Sequence, residues 1–145
     1  MLITRATRHD PKLDVLRDAF GFAGARLRDL QALARLFDEV QVDAGERLVR
    51  EGEPGRELFL IVDGQVAVTV HDQPLATVGP GEFVGEMTLF ERGPRSAMVT
   101  ALTPVRTLVA GTQSFATLLN DAAVLRRLAA ILARRLRASQ GSPTY

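Results

Sequence analysis

The 145-residue sequence contains no cysteine, which excludes disulfides, cysteine nucleophiles, thiolate zinc sites and cysteine-ligated iron–sulfur clusters together. Its absence is compatible with a reducing, cytosolic setting. Only two histidines occur, His9 and His71, and they fall in different zones of the chain. A metal-dependent enzyme wants clustered histidines with a carboxylate, so no metal or cofactor is expected. An excess of charge of one sign is missing too: 18 Lys+Arg stand against 17 Asp+Glu, a formal net charge of +1. A dedicated nucleic-acid binder usually carries a strong basic excess. No apolar run approaches the roughly 20 residues that span a bilayer. The opening residues Met1 to Asp14 are polar and charged rather than a secretion signal. A cytoplasmic location without membrane attachment is the resulting expectation. Long linkers, internal repeats and low-complexity tracts are absent as well.

What is present reads as one domain with a sizeable core, 46% hydrophobic and 24% charged. Three zones follow one another. From Pro11 to about Val40, Leu13, Leu16 and Phe20, then Leu27, Leu30, Leu33 and Leu36, recur at threes and fours. That is a helical period, broken around Gly21 and Gly24, with Pro11 suited to the first turn.

From Val40 the texture changes to short Val-, Leu-, Ile-, Phe- and Thr-rich runs between Gly, Pro and Asp clusters. Strands are predicted near Glu39–Val42, Arg47–Arg50, Glu57–Val62, Gln65–Val70, Leu75–Val78, Phe83–Val84, Arg95–Ala101 and Val105–Ala110. Asp63-Gly64 between two such runs signals a two-residue hairpin, whose type I′ turn needs positive φ. Many short strands with a turn every few residues imply a sandwich, jelly roll or barrel.

Helical period returns from Gln113 to Ser139, through Phe115, Leu118, Leu119, Val124, Leu125, Leu128, Ile131, Leu132 and Leu136. Asn120 and Asp121 are positioned to split it into two helices. The predicted class is therefore α+β, mainly β: a jelly-roll-like β-roll of about eight strands with N-terminal helices and two C-terminal helices.

The stretch Val84–Val99 does not read as an ordinary strand connection. Gly85 to Phe90 has helical spacing but is too short to be stable alone. The amides at its start offer an anion site. Arg95, just after Gly93-Pro94, offers a planar fork for a phosphate or carboxylate. Glu86 can accept from a hydroxyl while orienting that arginine. An anion and a hydroxyl together describe a sugar phosphate. The plainer reading of Arg95 is a surface arginine holding a turn with Glu86 or Glu91. The plainer reading of Glu86 is a helix-start carboxylate favoured by the helix dipole. Gly52, Gly55, Gly64 and Gly81 read as turn residues. Met87 and Phe90 read as apolar plugs anchoring the short helix.

Gly85-Glu86-Met87-Thr88-Leu89-Phe90, followed by Pro94-Arg95-Ser96-Ala97, resembles the phosphate-binding cassette of the cyclic nucleotide-binding domain family. Leu48 to Gly55 and Leu58 to Val66 are similar to the family's earlier strand signature, and Phe22–Val40 to its helical lead-in. The resemblance thus runs from about Phe22 to Arg137. It implies a division into a helical lead-in (1–21), a cyclic nucleotide-binding domain (22–139) and a loose tail (140–145). Within the domain, the β-roll would occupy 39–110 and the C-terminal helices 113–139.

The implied ligand site comprises Val84, Gly85, Glu86, Met87, Thr88, Arg95, Ser96 and Ala97. The resemblance gives Glu86 the ribose 2′-hydroxyl and Arg95 the cyclic phosphate, with the Thr88 and Ser96 amides completing the cage. The Ser96 hydroxyl would bond the phosphate or, alternatively, a guanine amino group. Val84, Met98 and Leu58 are candidate apolar walls. Thr88 departs from the family's usual alanine or glycine and adds bulk where the phosphate approaches.

The implied function is a non-enzymatic cyclic nucleotide sensor, cAMP favoured over cGMP. The ligand would be signalled by the helices after Asn120 swinging toward the pocket. One of Arg126, Arg127, Arg134, Arg135 and Arg137, or Tyr145, would cover the base. The plainer reading of these arginines is a solvated helix face. A protein partner or self-association through those helices is expected. DNA binding is not, since a helix-turn-helix has no room after Ser139. The alternative is a degenerate domain of the same fold that binds no nucleotide and acts as an interaction or dimerisation module.

Overall fold

The computed structural model describes residues 11–20, 27–87 and 93–122, together with 125, 126, 129, 130, 133, 134 and 137. Among the described residues, two helices lead: α1 (Pro11–Phe20) and α2 (Leu27–Ala34). On α1, Leu13, Leu16 and Ala19 are buried at helical spacing while Asp14 and Asp18 face water. The Lys12 ammonium donates to the Phe37 carbonyl at 3.0 Å and ties α1 to the exit from α2.

Eight strands follow among the described residues: β1 (Asp38–Val42), β2 (Arg47–Val49), β3 (Leu58–Asp63), β4 (Val66–Val70), β5 (Gln73–Val78), β6 (Phe83–Val84), β7 (Met98–Ala101) and β8 (Val105–Ala110). They form two antiparallel four-stranded sheets, ordered β1-β8-β3-β6 and β2-β7-β4-β5. The predicted mainly-β roll of eight strands is the observed architecture.

Strand β3 shows how the layers are built. Side chains alternate across a strand, and β3 is buried on both faces. Leu58 and Leu60 pack with Leu13, Leu16, Leu33, Phe37, Phe83 and Leu108 on the helical side. Phe59 and Ile61 pack with Val66, Val68, Val84, Val99 and Val105 between the sheets. The neighbouring hydroxyl of Thr107, buried on β8, is satisfied by donating to the Leu60 carbonyl at 3.0 Å.

One turn prediction is corrected. Asp63-Gly64 does not close a hairpin, because β3 and β4 belong to different sheets. Gly64 has φ +93°, and a Cβ there would collide with the Pro104 carbonyl and Thr103. The glycine is needed because the chain changes sheets directly against the β7–β8 connection. That approach is pinned by the Gln65 amide donating to Thr103 Oγ1 at 3.0 Å and the Leu102 amide donating to the Gln65 carbonyl at 2.9 Å.

The tight hairpin lies one connection later, where Val70 pairs with Gln73 around His71 and Asp72, with φ 49° and 64°. β5 accordingly starts at Gln73, two residues before the predicted Leu75. β7 starts at Met98 rather than Arg95.

Helix α3 (Thr112–Leu119) follows β8. It ends at the expected Asn120–Asp121 break, after which the Leu125 amide donates to the Asp121 carbonyl at 3.0 Å. Residues 122, 125, 126, 129, 130, 133, 134 and 137 are helical, with Arg126, Arg134 and Arg137 exposed. Arg127, Arg135, His9 and Tyr145 lie outside the described residues. Among the described residues, no helix is long and apolar enough to cross a membrane.

Candidate functional site

Strand β6 is only two residues long, pairing Phe83 with Leu60 and Val84 with Phe59. It delivers the chain to Gly85 from the space between the sheets, where Val84 is fully buried. Gly85 has φ +90°, and a Cβ there would lie 2.7 Å from the Glu57 carbonyl oxygen and 2.9 Å from Arg95 Nη1. Conformation and space both require glycine at this position. Glu86 follows with 0% exposure, and Met87 is half-buried at the start of helical backbone. Thr88, with the rest of the short segment to Arg92, lies outside the described residues.

Arg95 follows Gly93-Pro94 and is buried at 6% exposure. Its backbone is held by the β2–β3 connection rather than by a sheet. The Arg95 amide donates to the Glu53 carbonyl and the Gly52 amide donates to the Arg95 carbonyl, both at 2.9 Å. These two bonds explain why β7 begins only at Met98.

The guanidinium is gripped by groups far apart in sequence. Nη2 donates to the Glu57 carbonyl at 3.0 Å and to Glu57 Oε2 at 3.3 Å. Nη1 makes a longer contact with the Gly85 carbonyl at 3.4 Å. A Cβ on Gly55 would fall 2.6 Å from Arg95 Nε and 3.0 Å from Nη2. Gly55 and Gly85 are therefore walls of a slot through which the arginine runs. Ser96 is exposed beside it, Ala97 is buried against the inter-sheet core, and Met98 is half-buried.

Burying a cation disfavours its charged form. Desolvation accordingly lowers the Arg95 pKa below its ordinary value, opposed first by the charge of Glu57 and more weakly by that of Glu86. An arginine remains protonated under such a shift, so the physical result is a concentrated positive charge in a low-dielectric slot. Such a charge favours an anion that can reach it. Buried Glu86 adds a carboxylate acceptor on the same side of the fold.

The structure thus brings Val84, Gly85, Glu86, Arg95 and Ala97 to one end of the inter-sheet core. Leu58 is elsewhere: it is fully buried toward the helices and belongs to that core rather than to the edge where Arg95 lies. Two residues were missed by sequence reasoning. Glu57 was not singled out, yet it forms an ion pair with Arg95 across 38 residues; Glu91, a partner offered by the plainer reading, lies outside the described residues. Gly55 was read as a turn residue, whereas it makes room for the arginine. No local pattern signals either, because both depend on a contact between distant segments.

The chain is similar to known proteins in sequence and in fold. A family profile described as cyclic nucleotide-binding domain matches residues 39–122. The CRP-like cAMP-activated global transcriptional regulator of Mycobacterium tuberculosis is 29% identical over 130 residues, 86% of this chain and 58% of that protein. Acetyltransferase Pat of Mycolicibacterium smegmatis is 34% identical over 121 residues, 81% of this chain and 36% of that protein. The crystal structure of the Thermus thermophilus catabolite activator protein superposes with a TM-score of 0.73 at 30% identity, covering 82% of this chain and 59% of that one. The chain therefore spans less than two thirds of each of these relatives. The matched span, more than half of the chain, and the mainly-β roll agree: the chain belongs to the cyclic nucleotide-binding domain family.

Proposed function

We propose that this domain binds a cyclic nucleotide, with cAMP favoured over cGMP, and acts as a regulatory, non-enzymatic module. The observation that carries the reading is the buried Arg95 in its glycine slot beside fully buried Glu86. A singly charged cyclic phosphate matches the guanidinium, and the ribose 2′-hydroxyl matches the carboxylate as donor to acceptor. Thr88 and Ser96 would add backbone amides, and Val84, Met87 and Ala97 apolar surface.

The preference for cAMP rests on the names of relatives, among them a cAMP-activated regulator. In such longer proteins the matched region is one part of the chain, and in one relative it accompanies an acetyltransferase. The role assigned here is accordingly to sense the ligand and bias a partner or attached domain through the helical residues that follow Asp121. By linkage, that bias equals the ligand's differential affinity for the two arrangements.

Calorimetric titration with cAMP and cGMP tests the reading. A charge-assisted hydrogen bond contributes about 1.5–3 kcal/mol. Arg95→Ala should therefore weaken binding about ten- to hundredfold, and Glu86→Ala should weaken it in the same direction. No heat with either nucleotide, or equal affinity in wild type and Arg95→Ala, removes the assignment.

A further inference from the structure

The turn that receives the Arg95 backbone is itself tied to a distant part of the fold. Arg50 to Glu53 form a reverse turn, closed by the Glu53 amide donating to the Arg50 carbonyl at 3.2 Å. Gly52 has φ +82° at the position where a type II turn requires a positive value. Glu51 occupies the corner of that turn. Its carboxylate reaches the β4–β5 hairpin, where the His71 amide donates to Oε1 at 3.0 Å and to Oε2 at 3.3 Å. His71 Nδ1 lies 3.1 Å from Oε2 as well, but the imidazole is 87% exposed whereas the Glu51 side chain is 20% exposed. The backbone amide is therefore the lasting partner, and the solvated ring adds little.

Sheet register explains why these two segments meet. β7 lies between β2 and β4, with Val49 and Val68 pairing with Val99 from opposite sides. Both pairings are antiparallel, so the exits of β2 and β4 flank the end at which the chain enters β7. Arg95 stands just ahead of that entry, and Glu51 bridges the two exits across it. On one side the turn exchanges hydrogen bonds with the Arg95 backbone through Gly52 and Glu53. On the other, the carboxylate fastens the turn to a hairpin that is anchored by its own β4–β5 ladder.

Building on the proposed function, we propose that Glu51 is a positioning residue for Arg95, a strap that holds the β2–β3 turn to the β4–β5 hairpin. The strap keeps the Gly52 amide and the Glu53 carbonyl on the Arg95 backbone. The guanidinium then enters its slot from a fixed starting point. Glu51 thereby raises the affinity for an anionic ligand by acting through Arg95, and the hairpin becomes part of the site's support although it is remote in sequence.

The test joins amide hydrogen exchange of the ligand-free protein to calorimetric titration with cAMP. In Glu51→Ala the Gly52 and Arg95 amides should exchange about tenfold faster, while Leu60 and Leu108 in the first sheet keep their protection. The same variant should bind cAMP about three- to tenfold more weakly. Glu51→Gln retains an oxygen for the His71 amide and should restore most of both properties. In an Arg95→Ala background, Glu51→Ala should change affinity by less than about twofold, because the side chain to be positioned is gone. Glu51→Asp, whose arm is shorter, should repeat the alanine pattern in smaller measure and carries the test if Glu51→Ala does not fold. Unchanged exchange at Gly52 and Arg95, or a uniform rise that includes Leu60 and Leu108, overturns the strap whether or not a nucleotide binds. Equal loss of affinity with and without the Arg95 side chain overturns its action through Arg95. Absence of cAMP and cGMP binding by wild type overturns the functional reading alone, and the exchange rates then judge the strap.

Discussion

Between the helices and the first sheet, the buried side chains are leucine, phenylalanine and alanine; between the two sheets they are mostly valine, with Phe59, Ile61 and two alanines. The difference follows from what each layer must fill. Helices stand further from a sheet and present side chains that lean along the axis, so long, γ-branched residues reach across. Two pleated sheets interdigitate closely, and stiff β-branched side chains suit that surface without losing rotamer freedom. The candidate site is attached to only one of these layers. Val84 and Ala97, on either side of it in sequence, both belong to the valine core, while the leucine core lies behind β3. Stability and ligand affinity should therefore respond differently to damage in the two places.

The largest effect is expected from Leu16→Ala. Leu16 is fully buried in the helical layer, and truncation of such a residue costs about 2–5 kcal/mol. Chemical denaturation should show that loss, while cAMP affinity per folded molecule stays within about twofold of wild type. Val84→Ala should cost less, about 1.5–3 kcal/mol, yet lower cAMP affinity, because Val84 fixes the start of the Gly85–Glu86 segment. Equal affinity losses in the two variants would erase the distinction between the layers.

Next comes Gly55→Ala. The added methyl meets the Arg95 side chain at 2.6 Å, and overpacking of that kind costs about 1–3 kcal/mol. Its effect on cAMP affinity should approach that of Arg95→Ala even though the arginine is intact. Wild-type affinity in Gly55→Ala would show that Arg95 tolerates displacement.

The smallest effect concerns Asp72, whose φ of 64° places it in the left-handed region at the β4–β5 hairpin. Asp72→Gly should relieve that conformation and raise stability by about 0.5 kcal/mol once glycine's greater unfolded freedom is subtracted. Ligand affinity should not move, and a lowered denaturation midpoint would contradict the turn assignment.

The strands were legible because apolar alternation and punctuation by Gly, Pro and Asp are local signals, and all eight appear near their predicted positions. Their partners were less so. Asp63-Gly64 has the composition of a two-residue hairpin, but positive φ at Gly64 serves equally to turn the chain out of one sheet and past Pro104 into the other. Composition permits the turn and does not choose the neighbour.

His71-Asp72 is the converse case. It forms the tight hairpin with neither residue a glycine, because the β4–β5 pairing imposes the turn. In the site, Gly85, Glu86 and Arg95 stood out by residue type and spacing. Glu57 and Gly55 did not, since an acid and a glycine in a loop acquire their roles only when a distant arginine arrives.

That arrival has a consequence for how the domain comes to be able to bind. The Arg95–Glu57 contact spans 38 residues, and the Gly52 and Glu53 bonds to the Arg95 backbone span comparable loops. Closing such loops costs entropy before any contact rewards it. The complete slot therefore depends on β3 and β7 being brought together in the folded domain. A partly folded or truncated chain holds the same residues but not the grip on Arg95. A cyclic nucleotide would then address finished molecules alone, and binding would double as a readout of completed folding.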